Sequence, residues 1–530
     1  MTRTLPTNIS ALRARVRRDA LEASIAGLGE RDRFQASAEL SNFTLAMAAQ
    51  LAALGDSSDV HVHHFPAGPG VQYLGFDAPH AWGVVHGRIS WQGVTGRLLS
   101  LDHGHSPLCV ATYSRASQGR ARVVDAGAAH ASWRGALVLA SGSRAELTRL
   151  LPQLASQGAL GVLTDAFAKR IGERELRGRL ELAPGSPLSG FSLLPSEATL
   201  LRDALGKGVV HAEIDLCTEH EASVPVLVYR TDPTATNELW LTAHSCHPRP
   251  GANDNGSGIA CVLELCRLLA ELGQRGSAPP PALRVVMGPE FVGVAAYLSH
   301  LEERGELERA RPAFVVNVDT VGGAPDRTGA ELFLEHAPLY MARDAQQQLA
   351  AQLASLEGAS GLALRPTRFC GYSDHALFAA LRIDVPAVQI CQTGDVFNHT
   401  DGDRLENLSF DQIAWICAAL SGFALQFRPL RRASHRADGP PRSAGLPFNF
   451  RALLAKLLDS ERAALLGSFH EQKETYAVLQ KIWLYQQRMN EHELRKLLQL
   501  EYASLPFFEP ALDTWIEQCA RVGHPWEASS

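Results

Sequence analysis

The 530-residue chain is poor in sulfur, with nine cysteines and five methionines. An odd number of cysteines, scattered through apparent strands and helices without a regular spacing, excludes a disulfide-stapled scaffold and suits a reducing compartment. No window approaches the run of about 18 apolar residues that a membrane-spanning helix needs. The opening stretch, MTRTLPTNISALRARVRRDALEASIAGLG, scatters charges through a helical pattern and lacks the apolar core of a secretory signal. A cytoplasmic location is the expectation. Basic runs are also missing, and the net charge of −6 is spread along the chain, which argues against nucleic acid or an anionic membrane as main partner. A small or peptidic ligand is expected instead. Neither a Gly-x-Ser-x-Gly elbow nor a phosphate-binding glycine loop occurs, against serine-hydrolase and nucleotide-dependent chemistry.

What is present divides by texture. Helical periodicity (Leu12, Val16, Leu21, Ile25) and one strand-like run occupy residues 1–80, too little to stand alone. Short β-like runs fill 81–218, interrupted by two helical patterns, and read as an inserted β-rich domain. From 219 to 430 strands and helices alternate, which implies a mainly parallel sheet sandwiched by helices, with functional residues at strand C-terminal ends. A linker over 431–446 precedes a helical segment, 447–530, whose default role is folding or pairing two chains as a homodimer. The fold class is therefore α/β with a β-rich insert and a C-terminal helical domain.

The richest stretch is LWLTAHSCHPRPGANDNGSGIACVLELCRLL. An apolar strand ends at His244, and Asp254 lies on a Gly/Asn turn before a helix whose apolar stripe includes Ile259, Val262, Cys266 and Leu269. Imidazole and carboxylate are natural zinc ligands, and Gly251 and Gly256 let backbone and metal approach closely. The alternative is a helix start capped by Asn253, Asp254 or Ser257. Recurrence favours metal. RVVMGPEFVG delivers Glu290 and FVVNVDTVGG delivers Asp319, each after an apolar run where a buried carboxylate is costly unless paired or metal-bound. NHTDGD delivers His399 from a further strand end.

These residues resemble the zinc exopeptidases of the bacterial leucyl aminopeptidase and aminopeptidase Y type, over about residues 235–425. AHSC, GANDNGSG, GPEFVG, NVD and NHTDGD stand where that family has His-x-Asp, Gly-Ala-x-Asp-Asn-x-Ser-Gly, Glu-Glu, Asp and His-Thr. The resemblance implies that His244 and Asp319 hold one metal, that Asp254 bridges, and that His399 belongs to a second. The β-rich region, with GALVLASGSRAELTRLLPQLASQGALGVLTD, is similar to the protease-associated domain of such peptidases, a wall or lid over the cleft. In RFCGYSDHALF, similar to the family's Cys-Gly-Tyr…Ser-Asp-His segment, Tyr372 is implied to donate to the developing oxyanion.

The chain departs from that pattern at two places. Where the family has adjacent acids, one the general base and the next a ligand, this chain has Glu290 followed by Phe291; where it has a supporting Asp, this chain has Cys246. HSCHP with NDN and PE..G is more similar to a bacterial branch of aminopeptidase-like proteins in which both changes appear. With Glu290 as base, the His399 metal has fewer protein ligands; with Glu290 as ligand, the base is missing. The base is favoured, since amide hydrolysis at neutral pH needs a proton acceptor. His247 is either a ligand replacing the lost acid or a buried histidine bonding a backbone carbonyl. Asp374 is expected to cap the helix beginning near His375, and Asp403 to orient the His399 imidazole or cap a turn. The clusters HVHHF and DHGH are expected to be solvated surface, and Cys261 and Cys266 small core residues.

The reading is a zinc-dependent aminopeptidase-like hydrolase with one or two ions, Glu290 as general base, and an N-terminal peptide residue as target. Two rivals stay open: a specialised amidase or glutaminyl-cyclase-like enzyme, and a metal-poor pseudoenzyme acting as a binding module.

Overall fold

A computed structural model describes residues 8–428 apart from 56–58, 95, 129–131, 275–281, 338–340, 342–343, 368, 370, 380–382 and 384. The expected linker and C-terminal helical segment thus lie outside the described residues.

Eight strands build the main sheet: β1 (Asp59–Phe65), β2 (Val224–Arg230), β3 (Leu239–Thr242), β4 (Leu283–Met287), β5 (Phe314–Asp319), β6 (Glu331–Glu335), β7 (Leu364–Thr367) and β8 (Ala387–Thr393). Their spatial order is β1-β2-β4-β3-β5-β8-β6-β7. The central four, β4-β3-β5-β8, are mutually parallel, while β1, β2 and β6 join antiparallel. Parallel strands covered on both faces must be apolar throughout. Accordingly Leu239, Trp240, Leu241, Val285, Val286, Phe314, Val315, Val316, Val388 and Ile390 are all buried.

The helix Gly258–Gln274 packs against Phe410–Gln426 and Arg18–Gly29, while Ala38–Ala52 lies on β1 and β2. N-terminal residues such as Leu21, Ile25 and Leu40 therefore share one core with the sheet. Trp240 shows how tightly this core closes: fully buried, it meets the Phe378 ring edge-on and carries the Arg284 guanidinium 4.6 Å above its face.

Residues 83–219 form a second, seven-stranded sheet with its own apolar clusters and the helices Arg144–Ser156 and Pro195–Lys207. Its first strand, Gly83–Gln92, pairs antiparallel with its last, Val210–Glu219, so the chain leaves and re-enters at one place. Polar contacts join this unit to the main one at several points. Asp32 takes His103 Nε2 at 2.8 Å and Arg249 Nε at 2.9 Å, and Gly178 bridges Thr400 in antiparallel fashion. Among the described residues no helix is long and apolar enough to cross a membrane.

Replacing Trp240 by alanine empties a site that cannot collapse, because rigid strands surround it. Trp240→Ala is expected to lower stability by about 3–5 kcal/mol, measured by denaturant unfolding. A loss under about 1 kcal/mol would contradict this packing.

Candidate metal centre

The parallel centre of the sheet decides where the chemistry-bearing residues go, because the C-terminal ends of adjacent strands open onto one crevice. β3 runs on to His244, β4 to Glu290, β5 ends on Asp319, and the loop after β8 carries His399. Asp254 reaches the same crevice from the turn Ala252–Ser257. That turn is pinned by its own amides. Asn255 donates to Val318 O at 3.0 Å and accepts from Thr320 and Gly258, tying Asp254 to the strand end that bears Asp319. Asn253 accepts from Gly322 and Gly323 and donates to Asp395. Gly251 has φ +50°, and a Cβ there would stand 2.5 Å from the His247 ring, so only glycine fits.

The centre of the arrangement is the Asp254 carboxylate. Its Oδ1 faces His244 Nε2 at 3.2 Å; its Oδ2 faces His399 Nε2 at 3.0 Å and His247 Nε2 at 3.4 Å. Asp319 Oδ1 lies 3.4 Å from His244 Nε2. Two groups result, each with donor atoms within 4.8 Å of one another: His244, Asp254, Asp319 and His247, Asp254, His399. All but His399 are buried.

His247 resolves an alternative that sequence left open, because its two nitrogens do different jobs. Nδ1 donates to Pro248 O at 2.6 Å, which leaves a lone pair on Nε2, and that buried atom has no hydrogen-bond partner. Burial, only partly offset by Asp254, pushes this histidine down to about 4, so it is neutral and able to ligate. The expectation of fewer ligands on the His399 side is thus corrected: that side holds three donors. Burial disfavours charge on His244 too, but Asp319, Glu290 and Asp254 outweigh it and raise this imidazole well above its usual range. Burial and neighbouring acids push Glu290 up to about 8, despite His244. So many buried carboxylates demand more positive charge than the imidazoles bring, and divalent cations in the two donor groups would supply it. The donor set fits such ions.

Glu290 is aimed by a strained turn. Phe291 adopts φ +59°, ψ −57°, closed by a Val292 N–H to Glu290 O bond of 2.7 Å, a γ-turn that most residues avoid. Three contacts hold it: Asp374 Oδ1 accepts the Phe291 amide at 2.6 Å, Cys246 Sγ accepts the Glu290 amide at 3.2 Å, and the Phe291 ring stacks on Phe76.

Several sequence-based expectations are corrected around this site. Asp374 makes no cap bond to the helix His375–Phe378; it fixes the Glu290 turn instead, and burial raises it to about 6. Of the two roles expected of Asp403 it takes the turn cap: it accepts the amides of Asn253 and Asp254 at 2.6 and 3.0 Å, holding the shared aspartate from behind. His103 of DHGH is buried and bonded to Asp32, not solvated, and His63 of HVHHF is half-buried beside Tyr297 and His300. Tyr372 sits on the loop between Gly371 and Asp374, where Glu335 accepts the Gly371 amide and pairs with His375.

Arg33 escapes a reading of the sequence. Fully buried, it donates to Ser245 O, Gly251 O and Leu28 O, while its backbone pairs with His247 in both directions. An arginine shortly after a helix end is common, and within the charged run Glu30-Arg31-Asp32-Arg33 nothing in the sequence sets it apart.

A parallel strand fan with histidine and carboxylate donors sharing one aspartate defines the core of a metallohydrolase. Residues 226–423 match the model of peptidase family M28, a stretch that includes all the donor residues above, and the chain is accordingly a peptide-bond hydrolase. Its fold is similar to that of a zinc aminopeptidase from Bacillus subtilis: 17% identity, TM-score 0.52, 78% of this chain and 95% of that one covered. A peptidase M28 precursor from Shewanella amazonensis gives 15%, 0.52, 80% and 98%. A candidate peptidase from Clostridium acetobutylicum gives 15%, 0.57, 91% and 97%. At such identities the likeness is one of fold. No protein with a curated description matches the chain.

The electrostatics of the histidines set the pH dependence of metal binding. His244 must shed its proton to ligate, and its affinity for that proton is raised, so zinc affinity should increase by up to about tenfold per pH unit from pH 6 upward. Calorimetric titration of the chelator-stripped protein tests the sign; affinity falling with pH would contradict it. If both donor groups take zinc, His247→Ala should weaken the site of His247, Asp254 and His399 by more than ~100-fold and leave that of His244, Asp254 and Asp319, read as bound zinc per chain.

Proposed function

We propose that the protein is a zinc aminopeptidase that removes the N-terminal residue of a peptide or peptide-like substrate. The observation carrying this reading is the position of Asp254, whose two oxygens face separate histidine-containing groups. His244, Asp254 and Asp319 would hold one ion; His247, Asp254 and His399 the other. Zinc bound there supplies a Lewis acid for the scissile carbonyl and lowers the pKa of water. Glu290 then accepts the proton of the attacking water and returns it to the leaving amine. Its turn, held by Asp374 and Cys246, keeps the carboxylate oriented through the cycle. Tyr372 donates its hydroxyl to the oxyanion as charge develops.

The substrate's ammonium group sits against the acids at the Asp319 and Glu290 end of the crevice, which favours cleavage at an N-terminus. Phe76 and Phe291, stacked at 5.9 Å beside Glu290, offer an apolar wall for a side chain. The seven-stranded insert acts as a protease-associated domain, clipped to the His399 loop and walling the cleft. A reducing, cytoplasmic setting is in keeping with nine cysteines, an odd number without a regular spacing. The case for a metal-poor binding module rests on the missing acid after Glu290; His247 offers a donor in its place.

The zinc-loaded protein should release amino acids from unblocked peptides and not from their N-acetylated forms. Glu290→Gln should lower kcat by ~10²–10⁴-fold while zinc content stays at the wild-type value. Equal cleavage of blocked and unblocked peptides would sink the N-terminal assignment, and a fully active Glu290→Gln variant would remove Glu290 from the chemistry.

A further inference from the structure

Resting on the peptidase reading, we propose that Arg179 receives a carboxylate of the substrate on the leaving-group side of the scissile bond. Preferred substrates would then be very short peptides with a free C-terminus, or peptides with an acidic second residue.

Backbone pairing sets the position of this arginine. The insert segment 177–179 is clipped antiparallel to 399–401: Asp401 N–H donates to Arg177 O at 3.0 Å, Gly178 bridges Thr400, and Arg179 N–H donates to His399 O at 2.9 Å. A residue contributed by the other sheet is therefore fixed beside one of the donor histidines. Its side chain is 29% exposed, so it is open to a ligand. It also feels the charge of Asp254, and His247 feels it in return, so the cation lies toward the centre.

Neighbouring cations are already employed. Arg33 serves backbone carbonyls, Lys169 binds Val396 O and Asn398 O, Arg177 serves Ser192 O and Glu197, and Arg249 is held by Asp32. Among the described residues Arg179 makes one side-chain bond, to Glu181 Oε2 at 3.0 Å, and Glu181 is itself 39% exposed. A guanidinium carries five N–H donors in a planar fork, so most of its capacity for a second, bidentate carboxylate remains.

The charge layout gives the direction. Glu290, Asp374 and Asp319 gather at the His244 end, acting on one another, whereas Arg179 stands at the His247 and His399 end. A crevice with acids at one end and a guanidinium at the other complements a molecule with an ammonium at one end and a carboxylate at the other. A dipeptide has that form, and the scissile bond would fall over the shared Asp254.

The test uses zinc-loaded Glu290→Gln protein and calorimetric binding of Leu-Ala, Leu-Ala amide and Leu-Asp amide. At least one of the two carboxylate-bearing peptides should bind ~10-fold or more tightly than Leu-Ala amide. Arg179→Ala in the same background should abolish that difference, leaving Leu-Ala amide within about twofold and zinc content unchanged, and Arg179→Lys should restore part of it. A gain for Leu-Ala alone assigns the terminal carboxylate; a gain for Leu-Asp amide alone assigns the side chain. Equal binding of all three peptides, or a loss shared by all three in Arg179→Ala, would overturn the role of Arg179 and leave the peptidase reading standing. Failure of every peptide to bind would overturn both.

Discussion

A carboxylate buried beneath a parallel sheet's crevice, with its two oxygens turned to different histidines, is the constraint from which the rest of this site follows. Asp254 has to be held still and compensated at once. Stillness comes from hydrogen bonds made by its neighbours: Asn255 to the end of β5, Asn253 to the Gly322–Gly323 turn, and Asp403 to the amides of residues 253 and 254. Compensation comes from the His244 imidazole and, in the proposed zinc-loaded state, from ions between the donors. Burial alone would otherwise make such an anion expensive.

A similar demand governs the approach of Glu290. In the proposed mechanism Glu290, as general base, must project into the crevice without becoming a ligand, and the turn at Phe291 would serve this with a backbone conformation that costs energy, about 1–3 kcal/mol for a strained residue of this kind. Asp374, Cys246 and the stacked Phe76 ring offset that cost. In the proposed reading Phe291 stands where the resembled family has its second acid; its ring helps to hold the turn, and His247, three residues beyond His244, would supply the donor. Arg33 locks that segment from the N-terminal helices, so the start of the described chain belongs with the main sheet.

Much of this is legible in the sequence where the physics is local. A carboxylate or histidine directly after an apolar run advertises a buried polar group at a strand end, and that marks His244, Glu290 and Asp319, with Asp254 and His399 following from the same logic. The alternation of strands and helices marks the α/β sheet. What stays hidden depends on long-range partners. Asp374 reads as a helix cap, and Asp403 as a histidine support or a turn cap of unstated place, because the amides they accept belong to Phe291 and to residues 253–254, far away in sequence. His247 is ambiguous because sequence does not say which ring nitrogen meets a carbonyl. Arg33, Asp32 and His103 escape it or mislead it, since their partners come from separate stretches of the chain.

The direct trial of the shared aspartate is anomalous diffraction at the zinc absorption edge from crystals of the zinc-loaded protein. Two peaks should flank the Asp254 carboxylate, one beside His244 and Asp319 and one beside His247 and His399. Peaks located elsewhere, or an Asp254 side chain touching neither ion, would contradict the sharing of this carboxylate between two metals.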